Sequence, residues 1–346
     1  MSRLIPFHVV VIGASALAPA VQAADYQDGF YAEEFRPAYG EGWEGEGGFD
    51  SLDFEVGTRY WYALGTQDFA VGSRDYTSND TSHSLEGHLR IEDHGTQTYL
   101  KGHAGYSMAV RGSAETPWGS SDILDGRIGY ANLDIGYLPL GEGGSGVGFL
   151  AGYQYWNDSP NTGRTDFAVI TGSGDLTYDP STGEVTGFPG DSAPNNLDIH
   201  ALRLGISAKA ELGDYLDVTA ELAAVPYAYL NGTLGIDSYA PLDVGNTTYV
   251  KSSATSVTGW GYGAMGELML GVHPTENMTV RFGGRAWYLQ GTADATYTEA
   301  AITDGTDIDG DGVFDPPSVS QQSYISTANP FSLLRYGALV ELTYRF

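Results

Sequence analysis

Residues 334–346, Leu-Arg-Tyr-Gly-Ala-Leu-Val-Glu-Leu-Thr-Tyr-Arg-Phe, decide the fold class of this chain. Every second side chain belongs to one face, and that face is apolar: Leu334, Tyr336, Ala338, Val340, Leu342, Tyr344 and Phe346. The positions between them are mostly polar: Arg335, Gly337, Leu339, Glu341, Thr343 and Arg345. Because successive side chains of a strand point to opposite sides, this period of two predicts a β-strand with one apolar face.

The same stretch finishes on Phe346, with Tyr344 two residues earlier. This ending resembles the assembly signal of bacterial outer-membrane barrels. The resemblance implies that the barrel assembly machinery recognises the C-terminal strand. A strand of a soluble sandwich would show the same alternation, so the remaining sequence has to separate the two folds.

Ten segments of the sequence alternate in this way from residue 50 onward. They are 50–64, 82–94, 97–110, 126–139, 145–156, 198–212, 214–230, 257–273, 276–290 and 332–346. The connections at 94–97, 141–145, 213–214 and 273–276 are short, whereas those at 64–82, 111–125, 157–197, 231–256 and 291–331 are long. Short turns on one side and long loops on the other are typical of outer-membrane barrels. We therefore predict an all-β fold over residues 50–346, a ten-stranded antiparallel transmembrane β-barrel with long acidic extracellular loops, in the bacterial outer membrane.

The N-terminal residues are predicted to lie outside this barrel. Residues 1–23 have a basic Arg3, an apolar stretch from Leu4 to Ala20 and a small-residue cleavage site ending at Ala23, which together indicate a signal peptide. Residues 24–49 are acidic and glycine-rich, and we interpret them as a periplasmic segment. No later stretch contains eighteen uninterrupted apolar residues, so a membrane-embedded chain must cross as a closed barrel.

Composition limits the chemistry and the partners. The 346 residues include no cysteine, which excludes disulfides and thiolate sites. The net charge of −28 argues against nucleic acid as a partner, because nucleic-acid binding requires a basic surface. The expected partners are the lipid bilayer and its lipopolysaccharide, which such an acidic surface would repel unless divalent cations bridge the two. The sequence does not identify an extracellular partner.

The alternation also assigns side chains to the two barrel faces. Phe54, Val56, Tyr60, Tyr62, Leu64, Val280, Phe282, Ala286 and Tyr288 are predicted to face lipid. The predicted luminal set is Glu55, Arg59, Trp61, Glu86, His88, Arg90, Glu92, Lys101, His103, Arg127, Asp134, Arg203, Lys209, Glu211, Glu221, Glu267, Arg281, Arg285, Trp287, Arg335, Glu341 and Arg345. These charges indicate either an interior lattice of ion pairs or a transport path; ten strands enclose little more space than the filled lumen of an eight-stranded barrel.

Several stretches resemble a known family. Gly129-Tyr-Ala-Asn-Leu-Asp-Ile-Gly-Tyr137 and Val147-Gly-Phe-Leu-Ala-Gly-Tyr-Gln-Tyr155 resemble strands four and five of the omptins, which are ten-stranded outer-membrane proteases. Gly57-Thr-Arg-Tyr-Trp-Tyr62, Gly283-Gly-Arg-Ala-Trp-Tyr288 and Tyr344-Arg-Phe346 are similar to an omptin-like family of alphaproteobacterial barrel proteins.

The resemblance implies where a protease site would lie. Omptin chemistry uses an Asp-x-Asp pair in the second outer loop and an Asp-x-His pair beyond strand seven, which together activate a water molecule. Here the matching positions hold Glu115 and Pro117 in the second loop, and Asp237 and Tyr239 beyond strand seven. Tyrosine, with a pKa of about 10, is a poor general base at neutral pH. We therefore predict no catalytic residues and no protease activity.

A second Asp-x-His pair, Asp198 and His200, has the correct spacing but opens strand six, one crossing too early. Its parity matches Leu202 and Leu204, which places it outside the barrel. We interpret His200 as a histidine at a loop end whose hydrogen bonds are satisfied.

The fifth loop contains a calcium-type motif. Asp307, Asp309, Asp311 and Asp315 occupy positions 1, 3, 5 and 9, with a glycine at position 6 and the backbone carbonyl of Val313 at position 7. This is the oxygen-ligand spacing of a calcium loop, although position 12 is a serine. The sequence predicts weak Ca²⁺ binding, with an affinity of roughly 0.1–1 mM, as in extracellular modules. The alternative is a solvated acidic turn.

Three functions remain open from the sequence. The favoured one is a non-enzymatic outer-membrane barrel with a surface, structural or interaction role and a calcium-binding loop. The alternatives are an omptin-like aspartate-type protease and a narrow channel.

Overall fold

A computed structural model describes residues 52–142, 145–213, 215–237 and 239–346 of the chain. Ten strands, which we number in chain order, form the main sheet. They are β1 (Leu52–Val71), β2 (Arg74–Asp93), β3 (Thr98–Thr116), β4 (Gly126–Glu142), β5 (Ser145–Pro160), β6 (Asn196–Glu211), β7 (Leu216–Thr233), β8 (Ser256–Thr275), β9 (Met278–Thr303) and β10 (Ser318–Arg345). The predicted signal peptide (1–23) and the predicted periplasmic segment (24–49) lie outside the described residues.

The ten strands close into a ring. Each strand pairs antiparallel with the next one in the sequence. β10 then pairs back with β1, in a register that runs from Glu55 opposite Arg345 to Phe69 opposite Phe331. The prediction of a ten-stranded antiparallel barrel is confirmed. Because the ring is closed, it has no free sheet edge, which is what a lipid environment demands of a spanning sheet.

The outer surface of the ring is apolar. All ten strands carry large apolar side chains that point away from the lumen and are exposed, with Ile135 on β4 and Phe149 on β5 each 64% exposed. Their sequence neighbours alternate with them and are buried, as the period of two requires: Phe282 is 52% exposed, while Trp287 is 2% exposed. A soluble monomer rarely exposes so continuous an apolar surface, whereas a membrane barrel requires one.

The connections differ at the two ends of the barrel. We call the end with the connections 94–97, 143–144, 212–215 and 276–277 the turn end, and the opposite end the loop end. The loop-end connections contain short strands at Gly119–Ile123, Arg164–Ala168, Thr177–Tyr178, Val185–Gly187, Gly190–Pro194, Leu242–Val244 and Thr247–Lys251, and a 3₁₀ helix at Ser173–Asp175. Within the described ranges, no helix is long and apolar enough to cross a membrane.

The loop-end strands extend further than the sequence indicated. The predicted long loop 64–82 is a continuous hairpin in which β1 and β2 pair up to Val71 and Arg74. Gly72, with φ of 63°, occupies the first position of the two-residue turn and adopts a backbone conformation that side chains disfavour. β9 and β10 likewise reach far into the predicted loop 291–331. The alternation of polarity fades in these extensions because a strand beyond the lipid has no apolar surroundings to match.

One predicted luminal residue was wrong. Ile128 and Tyr130 are buried in the lumen, so Arg127 has the opposite parity and lies exposed on the outer surface of β4. The prediction failed because Arg127 is an odd number of positions from Asp134, which does lie in the lumen, and a regular strand cannot turn both side chains to the same face.

Candidate functional site

The lumen at the turn end contains a lattice of buried ion pairs. Arg281 donates to Glu55 Oε1 at 2.7 Å, to Glu341 Oε1 at 2.8 Å and to Asp217 Oδ1 at 3.2 Å. These four residues come from β9, β1, β10 and β7, so one guanidinium connects strands up to two positions away on either side of β9. The first of the two luminal interpretations, an interior lattice of ion pairs, describes this part of the barrel.

The lattice continues toward the middle of the barrel. Arg285 donates to Glu86 and to Glu267, each at 2.8 Å. Lys101 donates to Glu221 at 2.8 Å and to Glu267 at 3.4 Å. Arg59 bonds Glu341 through Nε and approaches Glu267 at 3.3 Å. The cavities left between these side chains measure only about 40 and 20 Å³.

Four buried aromatic side chains form a layer above the lattice. Tyr130 stacks on Trp156 with ring centroids 4.5 Å apart, and Trp156 stacks on Trp287 at 5.0 Å. Trp61 meets Trp156 edge-on at 5.9 Å. All four rings are almost fully buried. The aromatic layer therefore fills the cross-section of the lumen where a channel would require open space.

A further ion cluster lies on the loop-end side of the aromatic layer. Arg335 donates to Asp80 at 2.7 and 2.9 Å and to Asp158 at 3.1 Å, and its guanidinium lies 5.8 Å from the centre of the Trp156 ring. A Cβ atom on Gly65 would lie 2.5 Å from this guanidinium, so only glycine leaves room for it. The luminal plug thus consists of ion pairs on both sides of an aromatic layer.

At the loop end, Asp237 forms the centre of a third buried polar group, which we call the Asp237 cluster: Asp237, Lys251, Thr255, Tyr76 and Arg74. Asp237 is 0% exposed. Its carboxylate accepts hydrogen bonds from the Tyr76 hydroxyl and from Thr255 Oγ1, the latter at 2.6 Å. Lys251 Nζ lies 3.3 Å and Arg74 lies 3.0 Å from the same carboxylate.

The charges of this cluster support one another. Burial opposes ionisation of Asp237, but the Lys251 ammonium and the hydrogen bonds from Thr255 and Tyr76 outweigh burial and hold the pKa of this carboxyl below its usual value. Burial lowers the pKa of Lys251, and the adjacent Asp237 only partly offsets that effect. The cluster therefore contains a buried carboxylate that stays ionised because cations and hydroxyl groups surround it.

The other residues at omptin-like positions are not part of this cluster. Glu115 is exposed near the end of β3, where it pairs in register with Thr77 of β2, and Pro117 is exposed in the next connection. The Tyr239 hydroxyl donates to Glu299 Oε2 at 3.1 Å. Burial together with the Glu299 carboxylate raises the pKa of Tyr239, which keeps this phenol protonated and so unable to accept a proton as a general base. The sequence reasoning missed the cations of the Asp237 cluster, Lys251 and Arg74.

Next to the Asp237 cluster lies an open cleft of about 910 Å³. Aromatic side chains line parts of it, including Trp118, which is 55% exposed, and Phe188, which is 38% exposed. Phe167 and Tyr239 add two more rings. Concave sites of this size with exposed aromatic groups are typical of ligand-binding surfaces.

The structure brings together three of the predicted calcium ligands. Carboxylate oxygens of Asp307, Asp309 and Asp311 lie within 4.8 Å of one another. Asp307 accepts hydrogen bonds from the backbone N–H groups of Gly310 and Gly312 at 2.7 and 3.0 Å. Asp315, predicted as the fourth carboxylate ligand, is not a member of this group. The N–H of Val313, whose carbonyl was predicted to bind the cation, donates to Asp311 at 2.7 Å.

The Asp198–His200 pair lies where its parity placed it, on the outside of β6. The Tyr153 hydroxyl lies 2.5 Å from His200 Nδ1, and the Tyr155 hydroxyl donates to Asp198 at 2.6 Å. The interpretation of His200 as a satisfied loop-end histidine is confirmed.

Comparisons with known proteins match the fold loosely. No protein-family model matches the sequence, and no curated protein does. Among solved structures, the outer membrane protease OmpT from Escherichia coli is 11% identical, with a TM-score of 0.49 over 86% of this chain and 97% of that one. The translocator domain of the autotransporter NalP from Neisseria meningitidis is 12% identical, with a TM-score of 0.33 over 88% and 91%. A FadL homologue from Pseudomonas aeruginosa is 8% identical, with a TM-score of 0.26 over 85% and 90%.

At such low scores these likenesses add no support for any activity, so the assignment rests on the molecule's own surface. The closed antiparallel ring with apolar side chains all around its exterior is a transmembrane barrel. Single-chain barrels with an even number of antiparallel strands lie in the bacterial outer membrane. The predicted location is therefore confirmed.

Proposed function

We propose that this chain is a non-enzymatic outer-membrane barrel whose loop end has a surface or interaction role. The observation that supports this most directly is the environment of Asp237, the one aspartate that remains at an omptin-like position. It is fully buried and neutralised by Lys251 and Arg74. A group that activates water must reach that water directly or through one more water, and it must be able to take up a proton near the working pH. Asp237 meets neither requirement.

The competing proposal, an omptin-like protease, has too few acidic and basic groups available for catalysis. Glu115 is exposed on β3, and Tyr239 is engaged with Glu299. We therefore propose that the chain is related to the omptin-like barrel family in its fold but lacks the protease activity.

We expect the purified, refolded barrel to leave dibasic peptides intact. The measurement is peptide cleavage followed by mass spectrometry, with the Asp237→Asn variant as the matched control. Cleavage by the unaltered chain that the variant loses would establish a protease and overturn the proposal. Equal, negligible turnover by both proteins is the expected result.

The third interpretation, a narrow channel, is disfavoured by the luminal plug. The aromatic layer has ion clusters on both sides, and the spaces between the luminal side chains are close to the size of single water molecules. A transport path requires a continuous opening through the lumen. Here side chains from all ten strands fill the lumen instead.

An interaction role agrees with the loop end. With the short turns on the periplasmic side, as in other outer-membrane barrels, the cleft beside the Asp237 cluster faces outward from the cell. Exposed Trp118 and Phe188 supply rigid apolar contact area, which interaction sites favour. The closed barrel beneath them supports this binding surface.

The partners proposed for the membrane are lipopolysaccharide and the barrel assembly machinery. Arg111 and Arg127 are exposed near the loop-end limits of β3 and β4, where guanidinium groups suit phosphate. They reduce the expected repulsion between an acidic surface and lipopolysaccharide. β10 carries outward Tyr336, Val340 and Leu342, an apolar row that fits recognition of this strand during assembly.

We also propose that the fifth loop binds Ca²⁺ weakly, because three carboxylates already converge there. Calcium titration by calorimetry should give binding in the range of about 0.1–1 mM. The double variant Asp309→Asn with Asp311→Asn should lose it, since both ligands become neutral. Asp243→Asn, which removes one exposed acid from another loop, serves as the control. Equal heats from all three proteins would show that the loop is a solvated turn.

A further inference from the structure

His88 is a buried luminal residue that has no part in the proposed function. It lies on β2 in the lumen, 6% exposed, and both of its ring nitrogens lack a hydrogen-bond partner. Buried polar groups in native proteins are nearly always paired, because an unpaired one loses its hydration without compensation. An imidazole with two free nitrogens in a polar lumen therefore needs a physical explanation.

The surroundings of His88 suggest what its partner is. Its Nδ1 lies 3.8 Å from Glu55 Oε1 and 3.6 Å from Glu341 Oε2. One ligand atom from each of the three residues falls within 4.8 Å of the others, and all three side chains are buried. The two separations are too long for hydrogen bonds. They are close to the spacing of about 3.4 Å between ligands that hold a metal ion tetrahedrally with bonds of about 2.1 Å.

The position is set by strand register rather than by a loop. His88 pairs with Gly57 of β1, two residues from Glu55, and Leu342 beside Glu341 pairs with Thr58 of the same strand. Three adjacent strands of a closed barrel thus present one nitrogen and two oxygens to a common point. Sites on rigid elements hold their geometry better than sites on loops.

The site also has space for an ion, access from the turn end and supporting contacts. A cavity of about 40 Å³ is lined by His88 and both carboxylates, and also by Asp53 and Arg345 at the turn-end rim. That space accommodates an ion with a water molecule. Arg281 donates to both glutamates, and outer contacts of this type orient metal-binding carboxylates.

From this geometry we propose that Glu55, His88 and Glu341 form a luminal site for a divalent transition metal. One imidazole and two carboxylates suit Zn²⁺ and its neighbours better than Ca²⁺, which takes oxygen ligands alone. The site is separate from the fifth-loop carboxylates and independent of the interaction role of the loop end.

The test is Zn²⁺ titration of the refolded full chain by calorimetry, with heat-modifiable gel migration as the check on folding. His88→Ala should weaken binding by at least about 100-fold, more than the loss of an outer contact does. The matched control is His103→Ala. His103 faces His88 across the β2–β3 pair and also has an unpaired Nδ1, but it belongs to no three-ligand group among the described residues. This control should bind Zn²⁺ within about threefold of the unaltered chain, a margin well inside the 10–100-fold cost of a lost outer contact.

X-ray absorption of the zinc-loaded unaltered chain provides a readout that does not depend on any variant. One nitrogen and two carboxylate oxygens at about 2.0–2.2 Å are expected. A shell of oxygens only would place the ion at the fifth loop and overturn the proposal. Equal affinities of the unaltered chain and His88→Ala, or no binding up to millimolar Zn²⁺, would also overturn it.

Discussion

Replacing Arg281 by methionine should destabilise the barrel by about 3–5 kcal/mol, the cost of removing one partner from a buried ion pair. Methionine keeps much of the length and volume of the side chain but removes every donor. Glu55, Glu341 and Asp217 would then face one another in the lumen without the guanidinium that separates them. The loss should be large because Arg281 connects strands on both sides of β9.

Urea unfolding of the refolded barrel, followed by tryptophan fluorescence and by heat-modifiable migration, measures this loss. The control is Arg127→Met, the same exchange at an exposed position on the outer surface of β4. Surface substitutions usually change stability by no more than about 0.5 kcal/mol. A shift for Arg281→Met no larger than that of the control would mean that the lattice contributes little to holding the barrel together.

The sequence predicted most of the side chains that enter this lattice, Asp217 being an exception, but not how they pair. A period of two assigns each residue to a face, and it placed Arg281, Glu55 and Glu341 correctly. The partner of a luminal charge depends on ring closure and strand stagger, which bring Glu55 and Arg281 together across 226 positions of sequence. Local periodicity contains no information of that range. Arg127 shows that the assignment of a side chain to a face can also fail. It is an odd number of positions from luminal Asp134 and therefore lies on the outer surface of β4.

The loop end was predicted least well because its physical signals are different. Outside the lipid the outward faces of β1 and β2 meet water, so the apolar row on that face ends, although the strands remain paired and the inward side chains of Phe69, Val71 and Tyr76 stay buried. Gly72 followed by Ser73 was a usable signal, because such a pair fits a two-residue hairpin turn. The Asp237 cluster had no comparable signal, because Asp237 and Lys251 are 14 positions apart in the connection 234–255 and Arg74 comes from the start of β2. The fifth-loop carboxylates, in contrast, lie within five residues of one another and were found by spacing alone.

Replacing Asp237 by alanine should open the loop end while leaving the barrel assembled. The change removes the acceptor of Tyr76 and Thr255 and leaves Lys251, itself 3% exposed, as an uncompensated buried cation. The expected local cost is again about 3–5 kcal/mol. The loss of stability should be confined to the connection 234–255 and the start of β2, because the residues of the Asp237 cluster come from these two segments. Hydrogen exchange of these peptides, measured alongside heat-modifiable migration, separates local opening from loss of the barrel.

The pH dependence of this opening distinguishes the ion cluster from simple packing. The pKa of Asp237 is lower in the folded chain than in the unfolded one, where it is about 3.9. Its contribution to stability is therefore complete above about pH 3.9 and is lost as the pH falls through the lowered folded value. Protection of the loop end in the unaltered chain should decline over that acidic range, whereas Asp237→Ala should remain unprotected throughout. Asp243→Ala, which removes an exposed carboxylate from the same connection, should follow the unaltered chain. Equal exchange in all three proteins would show that the loop end is held by its apolar contacts and not by the buried carboxylate.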